Sequence, residues 1–491
     1  MARVIRRGGA VELLVVPTVL AFFSGGYFDG PRAWAGLVAW LLVALAMLTV
    51  PRPFPRTLGP MLAIAALLLF AVWSLVSCTW SPVAGSAYHA AQRVFLYAGA
   101  VIAAWALLRE RAVQRSVEPA LAAGVLIVVG YGLSERFLPG LLHFTRSFSG
   151  QGRLEQPLTY WNAMGELAAI GFVLCARLAG DAGRPRPIRM AATAAAAPIG
   201  MGLYISFSRG ALFACLAGLV ALTVLAPRHE QMRATLVTLA AGVLASAAAA
   251  PFKGVTSLTG TLSTREQQGA IALALLVVVM AAVAFAQSRL TRSDRPARLP
   301  LPRRAPLIAL TLICAGLAAA IAIGAKEKAS PQLSPGATRL VTLQSNRYAY
   351  WDVALRAFGD QPLRGVGAGG WAVSWLRYRT VNEFAQDAHS LPLQTLAELG
   401  IVGFVVLLAF FGGVAVAARD ALRSAPALAA GPVAGFVAYT AHAPLDWDWQ
   451  MPALTIVALV LAGLVLASAD EPAERAAETA TAPPRSAALP V

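Results

Sequence analysis

Residues 326–390 read KEKASPQLSPGATRLVTLQSNRYAYWDVALRAFGDQPLRGVGAGGWAVSWLRYRTVNEFAQDAHS, and the chain turns apolar at once in 391–411, LPLQTLAELGIVGFVVLLAFF. The polar block carries arginines, aromatic residues, a glycine-rich turn and a histidine beside a helix start. The block that follows holds the roughly 20 mostly apolar residues a helix needs to cross a bilayer. Working outward, similar apolar runs are centred near residues 20, 42, 68, 99, 125, 169, 197, 217, 242, 278, 315, 404, 434 and 458. The expected fold is all-α: a polytopic transmembrane bundle of about 12–14 spans with a large extracytoplasmic loop containing short amphipathic helices. Residues 1–325 form the bundle, 326–390 the outer loop, 391–468 the last spans and 469–491 a disordered tail rich in Ala, Pro and Glu.

Composition agrees with this reading. The 491 residues are 58% hydrophobic and 13% charged, against about 25% charge in soluble domains. The net charge of +16 could signal nucleic acid, but its distribution excludes that. The basic residues sit in short loops such as PRPFPRT, RERAVQRS, PRHEQMR and ARDALR, which alternate with loops nearly free of them, such as TWSPVAGSAYHA and APLDWDWQ. That is a positive-inside topology signal. It implies cytoplasmic termini, an even number of spans and residues 326–389 on the outer face. The N-terminal MARVIRRGGAVELLVVPTVLAFF reads as an uncleaved first span. Cys78, Cys175, Cys215 and Cys314 lie in or beside apolar runs without CxxC spacing, so neither a disulfide framework nor a metal site is indicated.

Four outward features carry chemistry. Arg209, in YISFSRGALFACLAG, stands between two apolar runs. An arginine there is a functional candidate or snorkels to headgroups. Arg347, in QSNRYAYWDVALRAF, begins a segment where Tyr348, Trp351, Leu355 and Phe358 recur at helical spacing, which predicts an amphipathic helix on the outer surface. In PLRGVGAGGW, Gly365, Gly367, Gly369 and Gly370 permit tight turns and a close backbone approach to an anion. Such a run also serves as a plain turn between two surface helices. His389, in QDAHSLPLQTLAELG, precedes the N-cap candidate Ser390. A helix N-terminus disfavours imidazolium, and a neutral imidazole is what a general base requires. Asp387 is near enough to orient it. Smaller candidates are Arg153 and Asn162 in GRLEQPLTYWNAMGELAA, and Asp446 and Asp448 in HAPLDWDWQMP, where the aspartates pair with an arginine or cap the last span. Glu166 and Glu398, inside spans, each call for a partner.

The combination SRGA at Arg209, RYxxW at Arg347, FxxxPLxGxGxG, and DAHS before LxxLAELG resembles the O-antigen ligase/polymerase superfamily. PLTYWNAMG resembles that family's Asn-containing stretch before a span. The resemblance implies a GT-C type polytopic glycosyltransferase using a glycan linked to polyprenyl (undecaprenyl) diphosphate, with no metal, cofactor or nucleotide sugar. It assigns Arg209 and Arg347 to the donor diphosphate and His389 to the base. Asp387, Arg153, Asn162, Gly365, Gly367 and Asp446 are supporting candidates. Ser390 departs from the usual asparagine of the histidine motif. The expected partners are the donor, a lipid-linked or protein acceptor and membrane lipids, in a multi-pass inner (plasma) membrane protein. The alternatives are a repeat-unit polymerase of the same superfamily and, from another class, a transporter of an anionic solute or lipid. A transporter would show midplane polar residues in paired halves, and no such halves are evident here.

Overall fold

The computed structural model describes residues 2–51, 53–291, 298–302, 304–324, 336–340 and 345–481. The expectations for residues 325–335, 341–344 and 482–491 lie outside these. The described chain is helical and has no strand. In order the helices are α1 (Ala2–Ala21), α2 (Asp29–Thr49), α3 (Leu58–Val76), α4 (Ala84–Leu107), α5 (Arg111–Phe137), α6 (Trp161–Gly180) and α7 (Arg186–Ile205). Next come α8 (Arg209–Leu225), α9 (His229–Ala249), the single turn α10 (Lys253–Thr256), α11 (Leu262–Leu290), α12 (Ala305–Gly324), α13 (Arg347–Asp360), α14 (Trp371–Tyr378), α15 (Leu391–Ser424), α16 (Pro426–His442) and α17 (Pro452–Thr481).

Every one of the fourteen apolar runs forms a helix, and among the described residues ten are long and apolar enough to cross a membrane. The remaining four have identifiable reasons. Charged Arg3, Arg6, Arg7 and Glu12 lie within α1; α8 and α16 have 17 residues each; and the stretch counted in α12 is the short Ala305–Ala319. The first run also sits earlier than expected. α1 ends at Ala21 because Ser24, Gly25 and Gly26 all take positive φ and turn the chain.

The core is built around α6 and the membrane-spanning part of α17, whose apolar stretches are wholly buried by other helices. Without water to drive apolar association, membrane helices pack through small residues and close backbone approach. Here α3 and α15 meet in that way: a methyl on Gly413 would lie 2.5 Å from the Ala63 nitrogen. The tail boundary expected at 469 is corrected, since Asp470 is buried and bound. Its carboxylate accepts from the backbone N–H of Thr57 (2.9 Å) and of Arg56 (3.1 Å), from the Thr57 hydroxyl (2.8 Å) and from Trp105 Nε1 (3.3 Å). The first N–H groups of a helix lack intrahelical partners and favour an anion, so Asp470 holds the start of α3 and α17 continues past it.

Alternation of the helices puts the connections after α1, α3, α5, α7, α9, α12 and α16 at one end of the bundle. Contacts across that end agree, with Leu391 N bonded to Ala443 O (2.9 Å) and Ser81 Oγ to Ala368 O (2.9 Å). The arginine-rich loops lie at the other end, where Arg177 bonds to Gln231 and to Ala427 O.

Candidate active site

α15 is broken near its start. Gly400 has φ 64° and ψ −167°, a region essentially restricted to glycine. A break in a helix frees backbone groups that must be satisfied within the protein. Residues 362–367 do this. Val366 N donates to Ala397 O (2.9 Å) and Gly367 N to Glu398 O (2.8 Å), while Pro362 O and Leu363 O accept from Ile401 N and Val402 N. Trp73 Nε1 takes Leu399 O (3.1 Å). Gly365 and Gly367 have φ of 68° and 93°, and added methyls would lie 2.3 Å from Glu398 C and 2.4 Å from Ser81 Cα. The close backbone approach anticipated for an anion is therefore made to α15 and to Ser81.

This clamp seats α13 and α14 against the bundle. Tyr350, Trp351, Val353, Ala354 and Ala357 form the buried face of α13, packed with Trp371 and Trp375 of α14, whose rings stack at 5.6 Å. Of the expected stripe Trp351 is buried and Leu355 exposed, and the stacked tryptophans take up the neighbouring face that carries Tyr350.

Arg347 is the first residue of α13, and its Nη2 is ion-paired to Asp446. Asp446 is fully buried in the loop between α16 and α17. Its Oδ1 also accepts from Tyr160 Oη (2.7 Å) and Trp447 N (2.9 Å), and Asn162 Nδ2 donates to Tyr160 Oη (2.7 Å). Burial alone would raise the Asp446 pKa. Arg347, His389 and His442 outweigh it and hold the carboxyl below its ordinary value. Asn162, Asp446 and Arg347 are thus one network, joined by Tyr160, a residue of the PLTYWNAMG stretch that no sequence signal distinguishes from its neighbours. Arg209 opens α8 after Ser208, whose Oγ accepts from Ala211 N (3.3 Å). Arg209 and Arg347 line a single cavity of about 120 Å³, walled also by Phe213, Trp351 and Leu445.

His389 lies behind that wall, where Trp351 Nε1 donates to its carbonyl (3.5 Å). Its ring is 5.1 Å from that of Tyr350 and 5.9 Å from that of Trp447. Burial lowers its pKa, Arg347 adds to the effect, and Asp446 opposes it. The direction is the one expected, with burial rather than the helix start as its main cause. Asp387 meets the His389 ring through its backbone and not through its side chain. The Asp387 carbonyl meets His389 Nδ1 at 2.9 Å, while its carboxylate accepts from Gln394 (2.9 Å) and Gln450 (2.7 Å). With Nδ1–H donating to that carbonyl, Nε2 carries the free lone pair.

Arg153 stands apart from this group. It caps its own loop through Gly150 O and Ser149 O and lies 3.6 Å from the Trp161 ring centre. Asp448 pairs with His442 Nδ1, and Glu166, fully buried, has that nitrogen 3.9 Å away. Glu398 accepts from Gln394 Nε2 (3.3 Å). Among the described residues no group of three or more His, Cys, Asp or Glu could hold a metal ion.

Residues 194–408 match the family model described as O-antigen ligase. That stretch includes Arg209, Arg347, Gly365, Gly367, Asp387 and His389, and it stops short of Asp446. No curated protein matches the chain.

Proposed function

The chain belongs to the O-antigen ligase/polymerase superfamily, and on that premise we propose that it transfers a glycan from a polyprenyl diphosphate carrier to an acceptor hydroxyl at the outer face of the membrane. One observation carries the reading: Arg209 and Arg347, 138 residues apart in the chain (347 − 209), line one cavity with His389 immediately behind its wall. Two guanidiniums bind a diphosphate and stabilise the charge that grows on it as the bond to the sugar breaks. His389 Nε2 takes the acceptor hydroxyl's proton as the oxygen attacks the anomeric carbon. The C–O bond to the diphosphate breaks, the electron pair leaves with the diphosphate, and a single displacement inverts the anomeric centre. Asp446 keeps Arg347 in place through an ion pair, so incoming phosphate meets a guanidinium already positioned.

The test is transfer in reconstituted membranes from a polyprenyl-diphosphate glycan, in the presence of EDTA. His389→Ala should reduce turnover by about 10²–10⁴-fold, and Arg209→Ala and Arg347→Ala should do so as severely, with membrane insertion intact. Undiminished transfer by all three variants would sink the assignment. Product length separates a ligase, which adds one chain per acceptor, from a repeat-unit polymerase, which extends a ladder.

A further inference from the structure

One group of buried polar side chains takes no part in the chemistry above. His442, the last residue of α16, is fully buried. Its Nδ1 meets the Asp448 carboxylate, and Glu166 lies 3.9 Å from the same nitrogen. His442 Nε2 and both Glu166 oxygens have no hydrogen-bond partner among the described residues. A buried polar atom left unpaired costs stability and calls for a reason. The Nε2 edge of the ring is turned toward Gly210, where a methyl would lie 2.6 Å from Nε2 and 2.8 Å from Cδ2. Asp448 holds the ring from behind, so only a glycine lets α8 come this close.

Gly210 follows Arg209 in the first turn of α8 and lines the donor cavity with it. The rest of that turn is also gripped. The chain enters it through Phe207 at φ 48°, and Ser208 caps it through Ala211 N. On the α6 side a methyl on Gly165 would lie 2.9 Å from Ala211 Cβ. α6 and α16 therefore clasp the start of α8 between Gly165 and His442. In the loop after α16, Leu445 lines the cavity and Asp446 holds Arg347. The stretch from His442 to Asp448 thus reaches both arginines, one through the backbone at Gly210 and the other through an ion pair. It lies beyond residue 408, where the family match ends.

We propose that His442, braced by Asp448, is a positioning residue for Arg209: pressed against Gly210, it sets how far the Arg209 guanidinium stands from that of Arg347, and so how the cavity fits a diphosphate. This rests on the glycosyltransferase reading above. A guanidinium already in place meets the diphosphate without a cost of reorganisation. One that is displaced meets it through fewer charge-assisted hydrogen bonds.

The test uses the full chain in lipid nanodiscs, with labelled undecaprenyl diphosphate as the probe. Gly210→Ala pushes the first turn of α8 off the ring and should raise Kd at least about tenfold. His442→Ala removes the brace and should do likewise. The two together put a methyl where the edge of the ring stood, and should bring Kd back to within about threefold of the unsubstituted chain. Gly218 lies further along α8, where a methyl would be 2.7 Å from Val173 Cγ2 and 3.1 Å from Ala434 O. Gly218→Ala should lower Tm and leave Kd unchanged. In transfer assays with a polyprenyl-diphosphate glycan, Gly210→Ala should raise donor KM and leave acceptor KM as it was. No rescue in the double variant, or a Kd raised as much by Gly218→Ala as by Gly210→Ala, would overturn the proposal. If the unsubstituted chain binds no undecaprenyl diphosphate, the glycosyltransferase reading falls and the Tm values of the same variants judge the contact. Groups in contact give losses that do not add, so additive losses from Gly210→Ala and His442→Ala would overturn the brace as well.

Discussion

His389 occupies left-handed backbone, with φ 52°, an uncommon geometry for a side chain of its size. The turn lets its own carbonyl accept from Trp351 while its Nδ1 meets the Asp387 carbonyl two residues back. Nε2 thereby keeps its lone pair free. Burial and Arg347 disfavour the imidazolium, so the folded pKa lies below 6.5. A base must be neutral, so activity should be full above that value and fall as the pH drops through the lowered pKa. The acid limb of kcat/KM is therefore expected below pH 6.5, and a limb above it would contradict the burial argument. Asp446→Asn removes the charge that favours the imidazolium, so the limb should move to still lower pH. It also removes the partner of Arg347, and turnover should drop by about 10²-fold through lost positioning. A pH profile of this variant separates the two effects.

At the scale of elements, the break in α15 and the 362–367 segment depend on each other. The break releases carbonyls and N–H groups; the glycine segment pairs with them and, in doing so, seats α13 and α14 with their tryptophans. Gly400→Ala should therefore cost more than helix propensity alone, about 1–3 kcal/mol from backbone strain, plus the contact of its methyl with Leu363 O at 2.3 Å. Gly359→Ala, on α13 with nothing within 4 Å, should stabilise by up to about 1 kcal/mol. Thermal unfolding of the detergent-solubilised pair measures both, and equal shifts would argue against a strained break. Because the break anchors the segment that seats α13, which begins at Arg347, Gly400→Ala should also impair transfer.

Across the whole molecule the two ends have different tasks. The arginine-rich end is tied by capping and side-chain hydrogen bonds, of which Asp470 at the start of α3 is the most concentrated. Asp470→Ala leaves the N–H groups of Arg56 and Thr57 without their acceptor and should cost about 1–3 kcal/mol, read as a lower Tm, with donor KM unchanged. A changed donor KM would mean that the ends are coupled. The opposite end holds two openings, one lined by Arg209 and Arg347 and the other by Asp387, Gln394 and Gln450.

Much of this was legible in the residues alone, because hydropathy and arginine placement act locally. Runs of about 20 apolar residues must become helices where backbone groups have no water, and the polar block at 326–390, the arginines and the histidine stand out against them. Ser390 before Leu-Pro-Leu marked the start of α15, and its Oγ accepts from Leu393 N as an N-cap does. What only the tertiary structure decided depends on residues far apart in the chain. Asp446 partners Arg347 across 99 positions, and Tyr160 reaches Asp446 across 286. No periodicity encodes such pairs, since a buried charge takes whichever partner packing brings to it. The glycines of PLRGVGAGGW were visible as points of close approach, but that they approach the broken α15 follows from Gly400, whose freed backbone groups had to be met.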